Sequence, residues 1–176
     1  MTYKLLFNSD TVLKKPDTET TMGGSGGHYT ALADVLITDQ VRKKIEAVAN
    51  LYFQKTGKDI TVTSGYRPPE RQAPAMYNKI VNEGEASVRR LYKNKTAVDQ
   101  ILNAYRANKG NRDAAIAAMI KAIEKQVASG VFISSHLKSN AIDVRMTANL
   151  KALNAAVIEV GGRIVVERDH FHLELH

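Results

Sequence analysis

The chain has 176 residues, 44% hydrophobic and 24% charged, enough for one domain with a real core and too few for two comfortable ones. It contains no cysteine, which excludes disulfides and thiolate metal sites, so any metal must be held by His, Asp or Glu. The net charge of +7 suits an anionic partner (nucleic acid, an acidic membrane face or a cell-wall polymer) without choosing among them.

The start, MTYKLLFNSD, lacks the roughly 7–15-residue apolar run of a secretory signal. No segment approaches the ~20 apolar residues of a membrane span. Synthesis in the cytoplasm is the resulting expectation, with lysis or another agent needed for action elsewhere. Residues 1–30 read as an N-terminal arm, with a short strand over Tyr3 to Phe7 and a linker-like Gly/Ser stretch, Gly23 to Gly27. Residues 31–176 are expected to form a single domain.

That domain opens with a helix. Thr38 or Asp39 can cap it, Val41, Ile45, Val48, Ala49 and Tyr52 repeat at helical spacing, and Gly57 closes it. Ile60 and Val62 alternate with polar residues in a half-buried strand, which runs into GYRPPERQ, where two prolines stop regular structure. Residues 75–130 read as a basic helical insert. Val98, Ile101, Leu102 and Tyr105 mark one helix, and Ile116, Met119, Ile120, Ile123 and Val127 another, ended by Gly130. The basic run Arg89 to Lys95 is read as a solvated helix face.

Two short strands around a loop are expected over GVFISSHLKSNAIDVRM, then a helix capped by Thr147 and ended by Gly161. RIVVERDHFHLEL reads as a hairpin with a charged turn at Glu167, Arg168 and Asp169. Helices and short antiparallel strands are segregated, so the fold class is α+β, a small mainly antiparallel sheet flanked by helices.

Chemistry concentrates in the last third. On the final strand, Phe171, Leu173 and Leu175 share one face and His170, His172 and Glu174 the other. In AIDVRM the apolar Ile142, Val144 and Met146 face the core, so Asp143 points away from it, and the intervening loop can fold His136 back beside it. Two His and one Asp are a normal set for catalytic zinc, which leaves a position for water and lowers its pKa to about 7. Glu167, Asp169 or His170 could take the water's proton. Arg67 is a candidate to stabilise the developing oxyanion.

Three motifs, in this order, carry a resemblance: SGYRPPERQ (Ser64 to Gln72), SSHLKSNAID (Ser134 to Asp143) and DHFH (Asp169 to His172). Together they resemble the zinc D-Ala-D-Ala carboxypeptidases and L-alanyl-D-glutamate endopeptidases, which share a fold with lysostaphin-type peptidases and the hedgehog signalling domain. The middle motif of that family is S-x-H-x-x-G-x-A-x-D. Ser134, His136, Ala141 and Asp143 fit it, and Ser139 stands where glycine is usual.

The resemblance spans roughly residues 35–75 and 130–175 and implies that His136, Asp143 and His172 bind zinc. It implies that Arg67 contacts the substrate, and the motifs offer Tyr66, Gln72 and Ser134 as further substrate contacts. For the base it leaves Asp169, three residues before the last ligand, beside Glu167 and His170. A competing register makes Glu167 the base and His170 the ligand. The implied activity is hydrolysis of an amide bond in the stem peptides of bacterial peptidoglycan, by an endolysin or an effector delivered by a phage or secretion machine. A hedgehog-like zinc module that binds cell-wall or protein partners without catalysis is the alternative. A nucleic-acid-binding reading has only the charge and the helical insert behind it, and no stacking or helix-turn-helix motif.

Overall fold

The computed structural model describes residues 20–176. The expected strand over Tyr3 to Phe7 lies outside them. The fold is α+β. A six-stranded sheet has the order β1-β2-β3-β4-β6-β5, built from β1 (Thr20–Gly26), β2 (Tyr29–Thr38), β3 (Ile60–Ser64), β4 (Ala141–Arg145), β5 (Arg163–Val166) and β6 (His170–Glu174). Neighbours pair antiparallel except β2 and β3, which run parallel. The parallel pair requires a crossover, supplied by helix α1 (Asp39–Thr56).

The glycine-rich stretch is not a linker. It forms β1 and the turn into β2, so a domain boundary at residue 30 would cut a hairpin. The composition misleads because these glycines serve close approach as well as freedom. A Cβ on Gly23 would sit 3.1 Å from the Ala33 Cα, and Gly23 also needs φ of +61°. The register shift between Met22 and Gly24 is a bulge of the kind glycine permits.

Helix α1 buries Val41, Ile45, Val48, Ala49 and Tyr52 against the sheet, as its spacing dictates. Gly57, left-handed at φ 66°, returns its N–H to the Phe53 carbonyl at 2.7 Å and ends the helix. Helix α6 (Leu150–Glu159) packs beside it. Its cap is Asn149, whose side chain accepts the Ala152 N–H, and not Thr147 as the sequence suggested. The choice is fixed by α1, because the Tyr52 hydroxyl accepts the Asn149 N–H at 2.8 Å. With Ile37, Ile60, Val62, Ile142, Val144, Phe171 and Leu173, these helices form one core on one face of the sheet.

The insert is four helices, α2 (Pro69–Glu83), α3 (Glu85–Leu91), α4 (Lys95–Ala107) and α5 (Arg112–Ala128). Asn94 and Asn111 cap α4 and α5 by accepting the N–H groups of Ala97 and Ala114. Met76, Ile80, Val98, Ile101, Leu102, Met119 and Ile123 make a second core, which Ile133 and Leu137 join from the chain that follows. Arg89 in the basic run pairs with Asp99 at 2.7 Å, and Lys95 is spent on the carbonyls of Arg89 and Tyr92. Of the two strands expected over residues 130–146, only β4 forms. Residues Ser135–Lys138 instead make one 3-10 turn.

Candidate metal centre

β4 and β6 pair so that Asp143 lies opposite His172, and Arg145 opposite His170. The alternation that buries Ile142, Val144, Phe171 and Leu173 puts Asp143, His170 and His172 together on the other face. The 3-10 turn brings in His136. Ser134 starts that turn by accepting the His136 N–H, which makes it a cap. Ser139 ends it at φ 57°. The family's glycine would take this conformation freely. Here the Ser139 hydroxyl is held by Thr38 at 2.5 Å, which also explains why Thr38 makes no side-chain cap for α1.

Three imidazole nitrogens surround one carboxylate oxygen. Asp143 Oδ1 lies 2.9 Å from His172 Nδ1, 3.2 Å from His136 Nε2 and 3.4 Å from His170 Nε2. Burial acts to raise the Asp143 carboxyl, yet the hydrogen bonds from His136 and His172 hold it well below the usual carboxylate range. Burial would likewise push the His172 imidazole down, but Asp143 lifts it above its ordinary value.

His136 Nδ1 lies 2.7 Å from the Gly65 carbonyl. A carbonyl only accepts, so Nδ1 carries a proton, and the contact between Nε2 and the ionised Asp143 oxygen needs either a second proton on the ring or a metal ion between the two atoms. His136, Asp143 and His172 present ligand atoms close enough to hold a metal ion, and so do Glu167, His170 and His172. The first group is buried or nearly so, and its two nitrogens and one oxygen suit a borderline divalent ion.

Glu174, which the sequence placed on this face but gave no role, sits behind His172. Its Oε1 is 3.8 Å from His172 Nε2 and accepts from Ser135 Oγ at 2.9 Å, while Oε2 accepts from Arg163 Nε at 2.5 Å. With Nδ1 turned to Asp143, the Glu174 carboxylate stands behind Nε2 and acts on the ring through its charge, in the place that carboxylates behind metal-binding histidines take. Glu174→Gln is expected to weaken metal affinity about 10–100-fold, read by competition against a chromophoric chelator. Chiefly through Arg163, the folded pKa of Glu174 is depressed to about 2. Its contribution to stability is therefore complete above the unfolded carboxylate pKa and lost as pH falls toward 2. The Gln variant should lose that part of the acid dependence.

The remaining expected residues divide. Arg67 reaches the site: its Nη2 is 3.7 Å from Asp143 Oδ2 and 2.8 Å from Ser64 Oγ, and its N–H holds the His136 carbonyl. Glu167 Oε2 is 3.6 Å from His170 Nε2. Asp169 faces away, with its side chain 83% exposed, and its Oδ1 meets His170 Nδ1 at 2.7 Å. Tyr66 is half-buried and anchored through its N–H to the Leu36 carbonyl. Gln72 is fully buried and bonds Tyr92. No family model, no curated protein and no solved structure matches this chain.

Proposed function

We propose that the chain is a zinc-dependent peptidase that hydrolyses amide bonds in the stem peptides of bacterial peptidoglycan. One observation carries the reading: Asp143 gathers His136 and His172 around one point on the most buried part of this face, and His170 and Glu167 stand next to it in a second, more exposed group that shares His172. Three protein donors with an unfilled side are the pattern of a catalytic metal, whereas a structural zinc takes four. The three spaced motifs and the +7 charge against an anionic wall polymer support it.

His136 Nε2, Asp143 and His172 Nδ1 would hold the ion. Bound there, zinc would acidify a water and polarise the scissile carbonyl. Arg67, beside Asp143 Oδ2, engages the carbonyl oxygen as charge develops on it. His170 Nε2 and Glu167 Oε2, 3.6 Å apart, accept the proton of the attacking water and return it to the leaving amine. Asp169 supports them from outside by holding His170 Nδ1, so that Nε2 faces the site. Glu167→Gln and His170→Ala should each lower turnover by about 10²–10⁴. Asp169→Asn should cost less than either, because it removes only an orienting contact.

The outward Asp169 favours a second reading, a zinc module that binds the wall without cutting it. Mass spectrometry of defined muropeptides after incubation with the zinc-loaded chain separates the two. New amine and carboxyl termini within the stem peptide support hydrolysis. Binding to sacculi with every peptide intact overturns it.

A further inference from the structure

Strand register lays out the sheet face around the metal centre. β4 and β6 place three cross-strand pairs on it: Arg145 beside His170, Asp143 beside His172, and Ala141 beside Glu174. β5 sets Val165 beside His172 and Arg163 beside Glu174. Three arginines thus border the centre, and two of them are engaged. Arg67 Nη2 donates to Ser64 Oγ at 2.8 Å and lies 3.7 Å from Asp143 Oδ2, and Arg163 Nε meets Glu174 Oε2 at 2.5 Å. Arg145 is left over. It is the exposed residue of β4, whose other four are buried, and its guanidinium has no ion-pair or hydrogen-bond partner among the described residues.

The acids of this corner are taken by imidazoles. Asp143 faces His136, His170 and His172, while Glu167 and Asp169 both face His170. The root of Arg145 is nonetheless fixed. Its backbone pairs with His170, and its carbonyl accepts the Ala148 N–H at 3.3 Å. A guanidinium on a fixed root offers planar donors that match a carboxylate in two parallel hydrogen bonds. Position supplies the rest. Arg145 stands two residues along β4 from Asp143, on the same face, which is about 7 Å at roughly 3.4 Å per residue. An extended peptide rises at the same rate. A substrate lying along β4 with its reacting carbonyl over Asp143 therefore brings a group one or two residues away within reach of Arg145.

We propose that Arg145 is a specificity-determining substrate contact, which takes a carboxylate carried one or two residues from the scissile bond. The inference rests on the peptidase reading and names its substrate class, an extended peptide with a free acid close to the bond cut. Arg67 engages the carbonyl that reacts, and Arg145 sets the register of the peptide over Asp143 by holding the acid. Chain-end and side-chain carboxylates share this chemistry, and the experiment separates them.

Two pairs of defined muropeptides serve as substrates. One pair differs at the chain end, free acid or carboxamide, and the other differs in the same way at an acidic side chain of the stem. Wild type, Arg145→Gln, Arg145→Lys and Arg90→Gln are compared, all zinc-loaded, with zinc content and melting temperature measured on each. Arg90 is exposed on α3 and serves as the control for net charge. In one pair, wild type should cut the acid with a kcat/KM about 10–100-fold above the carboxamide, the size of a charge-assisted hydrogen bond, and that pair identifies the source of the carboxylate. Arg145→Gln should lose that advantage on the acid, keep the wild-type rate on the carboxamide and hold its zinc. Arg145→Lys, which keeps the charge without the planar fork, should retain part of the advantage. Arg90→Gln should leave the ratio as it is. Wild type that cuts none of the four substrates overturns the peptidase reading and this assignment with it. Active wild type that treats acid and carboxamide alike in both pairs overturns the role of Arg145 alone. So does an Arg145→Gln loss that is equal on both members or tracks zinc content, or an equal fall in the ratio from Arg90→Gln.

Discussion

Asp143→Ala should release the metal and end hydrolysis together. The carboxylate is the hub of the centre: its Oδ1 touches His136, His170 and His172, and its Oδ2 faces Arg67. Removing it leaves two imidazoles whose ring centroids are 5.0 Å apart and takes away the one carboxylate that both of them face. A zinc site with only three protein donors is expected to lose its ion when one of them goes. Zinc content by atomic absorption should fall from near one per chain to near zero, and release of soluble muropeptides should fall to background. His136→Ala should behave alike, because it removes the only donor that comes from the 3-10 turn. Full activity in both variants would sink the assignment.

Gly65→Ala should be the most damaging small substitution near the site. A Cβ at Gly65 would lie 2.2 Å from the Leu36 carbonyl oxygen, an overlap with backbone that no rotamer can relieve. The same oxygen accepts the Tyr66 N–H at 2.7 Å, so moving β2 away breaks the contact that seats the motif segment. Overpacking costs about 1–3 kcal/mol, and overlap with backbone belongs at the top of that range; for a chain of this size each kcal/mol lowers Tm by roughly 2–4 °C. Calorimetry should therefore find Tm lower by roughly 6 °C or more. The Gly65 carbonyl also fixes the His136 tautomer. The variant that still folds should therefore bind zinc more weakly, which separates Gly65 from an ordinary packing residue.

Elements with a strong periodicity were legible from the sequence. The heptad-like spacing of α1 and the alternation in β6 each follow from one repeating requirement, burial of one face, and the structure meets both. So the gathering of Asp143, His170 and His172 on one sheet face could be read from two short strands. β1 could not, because backbone ladder bonds hold it and its glycines carry no pattern of their own. The cap of α6 depended on the Tyr52 hydroxyl, 97 residues earlier in the chain, and no local signal at Thr147 or Asn149 reports that. The direction of Asp169 was equally hidden. Spacing gives the strand face, but the turn at residues 167–169 lies outside strand alternation, and there the rotamer follows from His170. Gln72 was visible as part of a motif, whereas its partner Tyr92 depends on how two helices of the insert pack.

The two cores described above meet at the metal centre. His136 is followed by Leu137, which packs with the insert helices, while His172 lies between Phe171 and Leu173, which pack with α1 and α6. An ion held by both histidines would therefore be a rivet between two separately packed halves, and its binding energy would count toward their cohesion as well as toward chemistry. Chelation should uncouple them, so that one cooperative heat-absorption peak broadens or divides in two, with the insert helices and the sheet melting on their own schedules.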